Sequence, residues 1–327
     1  MSQEEQSTFS TDAEKNGIAS LPFDAKRNRP STMTRMLRSI VAAKTPIFGF
    51  AILLVVVLMA VFAGTIAPHD PNQISVVDRI KPPSWYEGGE PEFIFGTDSL
   101  GRDVLSRLIY GARVSLIVGF SAVFIAGFIG VTLGLVSGYS GGPIDDVIMR
   151  LADIQLAFPF ILLAISVLAV INSNRDVNAD VSTIQRLLPM IFTLGVPAWV
   201  TYARMVRGET LSLRESEFVD AARSLGDSRL SIMFRHILPN ALAPLIVLAS
   251  FNVASTILAE ASLSFLGLGV PASVPTWGGM LAESREMLLA GKWWLATIPG
   301  LAIMLTVLSI NIIGDWLRDF YDPRLRN

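Results

Sequence analysis

The chain has 327 residues, 51% of them hydrophobic and 17% charged, with a mean hydropathy of +0.52, a balance that excludes an ordinary water-soluble domain. Its formal charge of −2 comes with no concentrated basic surface, so a nucleic-acid backbone is not its partner. Cysteine is absent, which removes disulfides, thiolate metal sites and cysteine nucleophiles together.

Residues 1–32 are polar, without hydrophobic period, and too poor in apolar surface to offset the entropy of ordering; the expectation is a disordered tail. From Met33 to residue 45, Met33, Met36, Leu37, Ile40 and Val41 share one helical face, predicting a short basic helix on the membrane surface. Uncharged runs then predict six transmembrane helices, an all-α integral membrane protein, at 46–67, 114–137, 154–172, 187–204, 239–260 and 295–316. Residues 26–45 hold six Lys or Arg and no acid, which places the amino terminus in the cytoplasm. An even number of crossings returns the tail at 318–327 to the same side, and residues 205–238 land there too. The 68–113 loop falls outside, despite Arg102, Arg107 and Arg113. Its stretch from Leu100 to Arg113 reads as an amphipathic helix whose charges lie in the outer headgroup layer.

Within the second span Ala122, Ala126, Gly130, Gly134 and Gly138 recur every fourth residue, a smooth ridge for close helix approach, either inside one subunit or between subunits. In the fifth, Asn252, Ser255, Thr256 and Ala259 form a polar stripe that must avoid lipid, lining a translocation path or bonding a neighbouring helix. Glu260 lies 21 residues after Pro239, roughly 31 Å along a helix, which predicts either an acid at the outer interface or a gate residue.

The stretch EFVDAARSLGDSRLSIMFRHILPN, residues 217–240, carries two short amphipathic patterns. Phe218, Ala221, Ala222 and Leu225 share a face; Gly226 supplies a left-handed stop; Asp227 and Ser228 cap a second helix with Leu230, Met233, Phe234 and Ile237. A nine-residue helix does not persist alone in water, so this face docks into a partner, the membrane or its own bundle.

The same stretch resembles the EAA loop of ABC importer permeases. Asp220, Ala221, Ala222, Gly226, Leu238 and Pro239 stand at the motif positions, with Asp220 for Glu and His236 where Ile is usual. FGTDSLGRDVLSRLIYGAR from Phe95, AEASLSFLGLG from Ala259 and PTWGGML from Pro275 are similar to the C-type permease of the dipeptide, oligopeptide and nickel branch. The resemblance covers about residues 46–323. It implies a type I ABC importer permease bundle with cytoplasmic coupling helices, in a bacterial or archaeal inner membrane. The implied partners are a homologous second permease, two ATPase subunits that hold ATP and Mg, and a periplasmic or lipid-anchored binding protein. It further implies that Glu217, Phe218, Asp220, Ala221, Ala222, Leu225, Gly226 and Arg229 contact an ATPase, and that peptides are the chief substrates. The chain has no phosphate loop of its own, so hydrolysis belongs elsewhere and no cofactor is expected here. Two histidines without an H-E-x-x-H pair exclude a metal site, and GYSG at 138–141 lacks a base for a serine nucleophile. The rival class is a secondary transporter or channel not driven by ATP, which would carry ionisable groups deep in several spans.

Overall fold

The computed structural model describes residues 45–173 and 182–321. The expected tail at 1–32 and all but the last residue of the expected surface helix at 33–45 lie outside them, as do residues 322–327. The described residues form helices joined by turns, with one isolated bridge between Thr97 and Asp103. In chain order the helices are α1 (Thr45–Val61), the single turn α2 (Ala63–Ile66), α3 (Val104–Ser140), α4 (Gly142–Leu156), α5 (Phe160–Ser173), α6 (Thr183–Gly195), α7 (Trp199–Leu213) and α8 (Glu217–Ser224). Then come α9 (Arg229–Ser231), a π-helical turn (Ile232–Ile237), α10 (Leu238–Phe265), α11 (Trp277–Leu289) and α12 (Trp294–Tyr321).

Three helical stretches among the described residues are long and apolar enough to cross a bilayer: Val104–Ser140, Arg229–Phe265 and Trp294–Tyr321. A fourth is reached if α4 and α5, bent by 84° at Ala157–Pro159, count as one broken crossing. The sequence reading gave continuous helices at 154–172 and 187–204. Proline is the reason both are interrupted: Pro159 and Pro197 sit in the breaks, where each removes an N–H and its ring crowds the preceding turn. The last helix runs on to Tyr321, so the boundary at 318 falls inside α12.

α3 is the centre of the bundle. Along its ridge, a Cβ on Gly134 would lie 2.6 Å from the Ala203 carbonyl oxygen, and one on Gly138 would lie 2.7 Å from Thr210. On the facing side Gly195 of α6 leaves room for the Ala122 backbone. The small-residue ridge therefore packs inside this chain, against α6 and α7, with backbones closer than any larger side chain permits. α1 and α10 cover the other flank of α3, burying Val56, Leu116, Val253 and Ile257 in one apolar cluster with Trp277 and Ile303.

The stretch from Asp98 to Arg113 differs most from expectation. Asp103 caps α3 by accepting from the Ser106 backbone N–H at 2.8 Å, and the helix continues through residue 113 without interruption. Arg102, Asp103, Ser106 and Arg107 are not in a headgroup layer; all four are buried. Arg102 Nε donates to Asp98 at 2.7 Å and its Nη2 to Glu283 of α11 at 2.6 Å. Arg107 donates to Glu283 at 2.6 Å and 3.2 Å and also reaches Asp98. Two guanidinium groups and two carboxylates neutralise one another, which is what permits their burial. Arg113 donates to the Ala60 and Val61 carbonyls at 2.8 and 2.9 Å, closing the C-terminal end of α1.

Candidate coupling surface and translocation cavity

The segment after α7 forms a compact handle. α8 has eight residues, too few to hold together alone. It is fixed by Val219 and Ala222, both buried against Leu135, Val206, Ile232 and Ile237. The helix ends where Gly226 takes φ +87°, a left-handed conformation costly to any residue with a Cβ. Ser228 then caps α9, accepting from the Ser231 backbone N–H at 3.2 Å. His236 pairs with Asp227 at 2.9 Å, which binds the π-helical turn to the loop after Gly226.

Ala222 faces inward, so the apolar face read from the sequence is divided. Phe218 and Leu225 are 41% and 88% exposed and, with Ala221, point away from the bundle. Leu230 and Phe234 are exposed beyond them. Glu217, Asp220 and Arg229 are exposed as well, and Asp220 accepts from Arg223 at 3.0 Å. An apolar knob fringed by charges thus stands on a base whose other side is packed. Val219, the base residue, is not among the motif positions, and its inward direction is set by the seating of α8 on the bundle. Beside the base, Arg207 of α7 grips Asp145 of α4 with two hydrogen bonds of 2.6 Å.

Asn252, Ser255, Thr256 and Ala259 do share a wall. They line a cavity of about 270 Å³ with Gln155, Thr201 and the apolar rim of Phe158, Phe160 and Leu194. No lining residue is charged. Neutral amides and hydroxyls offer hydrogen bonds along a passage without the desolvation cost of a buried ion. Asn252 sits at the cavity wall beside the Tyr202 hydroxyl of α7.

Glu260 is not part of that wall. One residue past Ala259 turns it about 100° around the helix, and it is wholly buried against α3. Ser264 donates to it at 2.7 Å and Ser115 at 3.3 Å. Neither an interfacial acid nor a cavity residue, it cross-links α10 to α3. The polar residue that sequence reading missed is Gln155. Its amide nitrogen donates to the Pro197 carbonyl and its oxygen accepts from the Trp199 indole at 2.7 Å. It therefore clasps the α4–α5 bend to the α6–α7 break, two irregular backbones at the mouth of one cavity. Neither the two breaks nor their contact through one side chain is part of the expectation of continuous spans.

Residues 130–327 match the family model described as the binding-protein-dependent transport system inner membrane component, and residues 31–83 match the N-terminal transmembrane domain of oligopeptide transport permease C. A di/tripeptide transport system permease of Pseudomonas aeruginosa (strain UCBPP-PA14) is 40% identical over 298 residues, 91% of this chain and 94% of the relative. A dipeptide transport system permease of Alkalihalophilus pseudofirmus is 42% identical, with 87% of each chain covered. A glutathione transport system permease of Escherichia coli (O6:K15:H31) is 43% identical, with 85% of each covered. Among solved structures, an inward-facing MetNI methionine ABC transporter superposes with a TM-score of 0.51 at 19% identity, covering 67% of this chain and 98% of that chain, a likeness of fold.

Proposed function

The chain belongs to the binding-protein-dependent transport system inner membrane components, and from that premise we propose that it is the permease subunit of an ATP-driven importer of short peptides. It forms half of the translocation path; a homologous second permease supplies the other half. Two ATPase subunits carry ATP and Mg, and a periplasmic or lipid-anchored binding protein delivers the substrate. The names of the relatives support peptides, and the uncharged cavity suits molecules whose side chains differ in charge.

Six crossings are the reading that best fits the helices: α1, α3, the bent α4–α5 pair, the broken α6–α7 pair, α10 and α12. Both termini and the handle are then cytoplasmic, in keeping with the Lys and Arg before α1 and in residues 205–238. The 68–113 segment and α11 form the outer end.

The observation that carries the coupling role is the divided face of α8. Val219 and Ala222 tie the handle to α3 and α7, while Phe218, Ala221 and Leu225 present an apolar knob that the described residues leave exposed. Glu217, Asp220 and Arg229 fringe it, and Gly226 sets its angle. Docked in an ATPase groove, the knob converts closure of the nucleotide dimer into rocking of the bundle.

Gly226→Val tests this in the full complex reconstituted into vesicles with its ATPases and binding protein. A Cβ at Gly226 meets no neighbour, so the cost is backbone strain of about 1–2 kcal/mol at one turn. The expected result is normal membrane level with ATP hydrolysis no longer producing peptide uptake. Normal uptake by the variant would overturn the coupling role, and uptake that persists with hydrolysis-dead ATPases would favour a channel or secondary transporter.

A further inference from the structure

A trough runs between α10, α11 and α12 on the side of α10 away from the translocation cavity. Its floor is Ala261, Gly300 and Ile303, and its walls include Leu258, Phe265 and Leu281. It opens into a second hollow, past Ser284, Leu288 and Ala296, through the shared residues Phe265 and Leu281. The two spaces hold about 400 and 300 Å³. From Leu258 to Phe265 the trough follows α10 for roughly 10 Å.

At its mouth stands Arg285. The guanidinium lies 4.3 Å from the centroid of the Phe265 ring and donates to the Phe265 carbonyl at 3.2 Å. That carbonyl is at the C-terminal end of α10, the depth at which a crossing helix meets headgroups. Trp293, 40% exposed at the start of α12, is at the same end. No described carboxylate pairs with Arg285; Glu283 of the same helix is committed to Arg102 and Arg107. A cation without a counter-ion thus caps an apolar channel at a membrane interface.

We propose that this trough is a binding site for an anionic phospholipid of the outer leaflet, its phosphate on Arg285 and one acyl chain along Leu258, Ala261, Phe265, Gly300 and Ile303. A helix of the second permease would be the other candidate occupant. Helix pairs in lipid gain no hydrophobic drive and meet through small residues. Here the small residues Ala261, Ser262 and Gly300 lie in a trough walled by Leu258, Phe265 and Leu281, and Arg285 at its mouth has no carboxylate partner among the described residues, which suits a flexible chain and a charged head.

The complete transporter is placed in vesicles of phosphatidylethanolamine and phosphatidylglycerol carrying a photoactivatable phosphatidylglycerol, and labelled peptides are identified by mass spectrometry. Labelling is expected on the peptides spanning 258–266 and 296–303. Arg285→Gln lowers it about fivefold, the contribution of one basic side chain near anionic headgroups. Gly300→Leu, which fills space where a Cβ meets only Leu281 at 4.0 Å, lowers it without touching the charge. Labelling unchanged by both variants overturns the proposal. So does a disulfide between Leu258→Cys, in a chain otherwise without cysteine, and a cysteine on the companion permease.

Discussion

The cap around Asp98–Arg107 and the handle are built from similar sequence, short amphipathic stretches rich in Arg and Asp, and the fold treats them in opposite ways. At the cap, Asp98, Arg102, Arg107 and Glu283 are drawn inside until each charge has its partner. At the handle the charges stay in solvent and Phe218, Leu225, Leu230 and Phe234 stay with them. A region that satisfies itself is a fixed part; one that leaves apolar side chains outside is completed by another molecule. The difference separates an element that holds one end of the bundle from one that, in the proposed function, takes up force from an ATPase.

The comparison breaks first at Arg107. Arg107→Ala leaves Asp98 and Glu283 to share Arg102 alone, one negative charge in excess at the cap, an expected loss of about 3–5 kcal/mol, seen as a lower thermal midpoint in detergent and less protein in the membrane. At the handle, Val219→Ala removes two buried methyl groups from its base; about 2 kcal/mol of local stability is lost, read as faster amide exchange over 217–237 with the outer end unchanged. Leu225→Ser, on the knob, changes stability by less than about 0.5 kcal/mol. Its effect is expected in co-purification of the ATPases, which falls, so a stable variant with normal ATPase recovery would erase the contrast.

The smallest effect lies in the outer loop, where Lys81 pairs with Asp78 at 2.6 Å and Glu90 at 2.5 Å. The hydrogen bond from Lys81, with help from Ser75, holds the Asp78 carboxyl below its usual range, and the same two carboxylates raise Lys81. The lowered acid contributes stability above the usual carboxylate range and loses it as pH falls through the native value. The raised base contributes below its usual range and loses it as pH rises through its native value. Lys81→Gln should flatten both limbs slightly in thermal melts across pH, its small loss greatest near neutrality, where both partners are charged, and vanishing at the acid and alkaline ends.

Composition and apolar runs settled that the chain is a helical membrane protein, because hydropathy and helical period are local properties. The left-handed stop at Gly226, the Ser228 cap and the ridge on α3 were readable for the same reason. Hydropathy runs straight through Pro159 and Pro197 and gives continuous spans, and only the folded chain shows the two breaks and brings them together through Gln155. The handle's existence was legible in its spacing; which of Ala221 and Ala222 turns outward was decided by the fit of Val219 into a pocket made by α3 and α7. Asn252, Ser255 and Thr256 were recognisable as a stripe, whereas the fate of Glu260 depended on two serines, one of them 145 positions away. Arg107 and Glu283 are separated by 176 positions. Local pattern fixes what each helix can bury; whether a charge is solvated or neutralised depends on partners that only tertiary folding brings within hydrogen-bond reach.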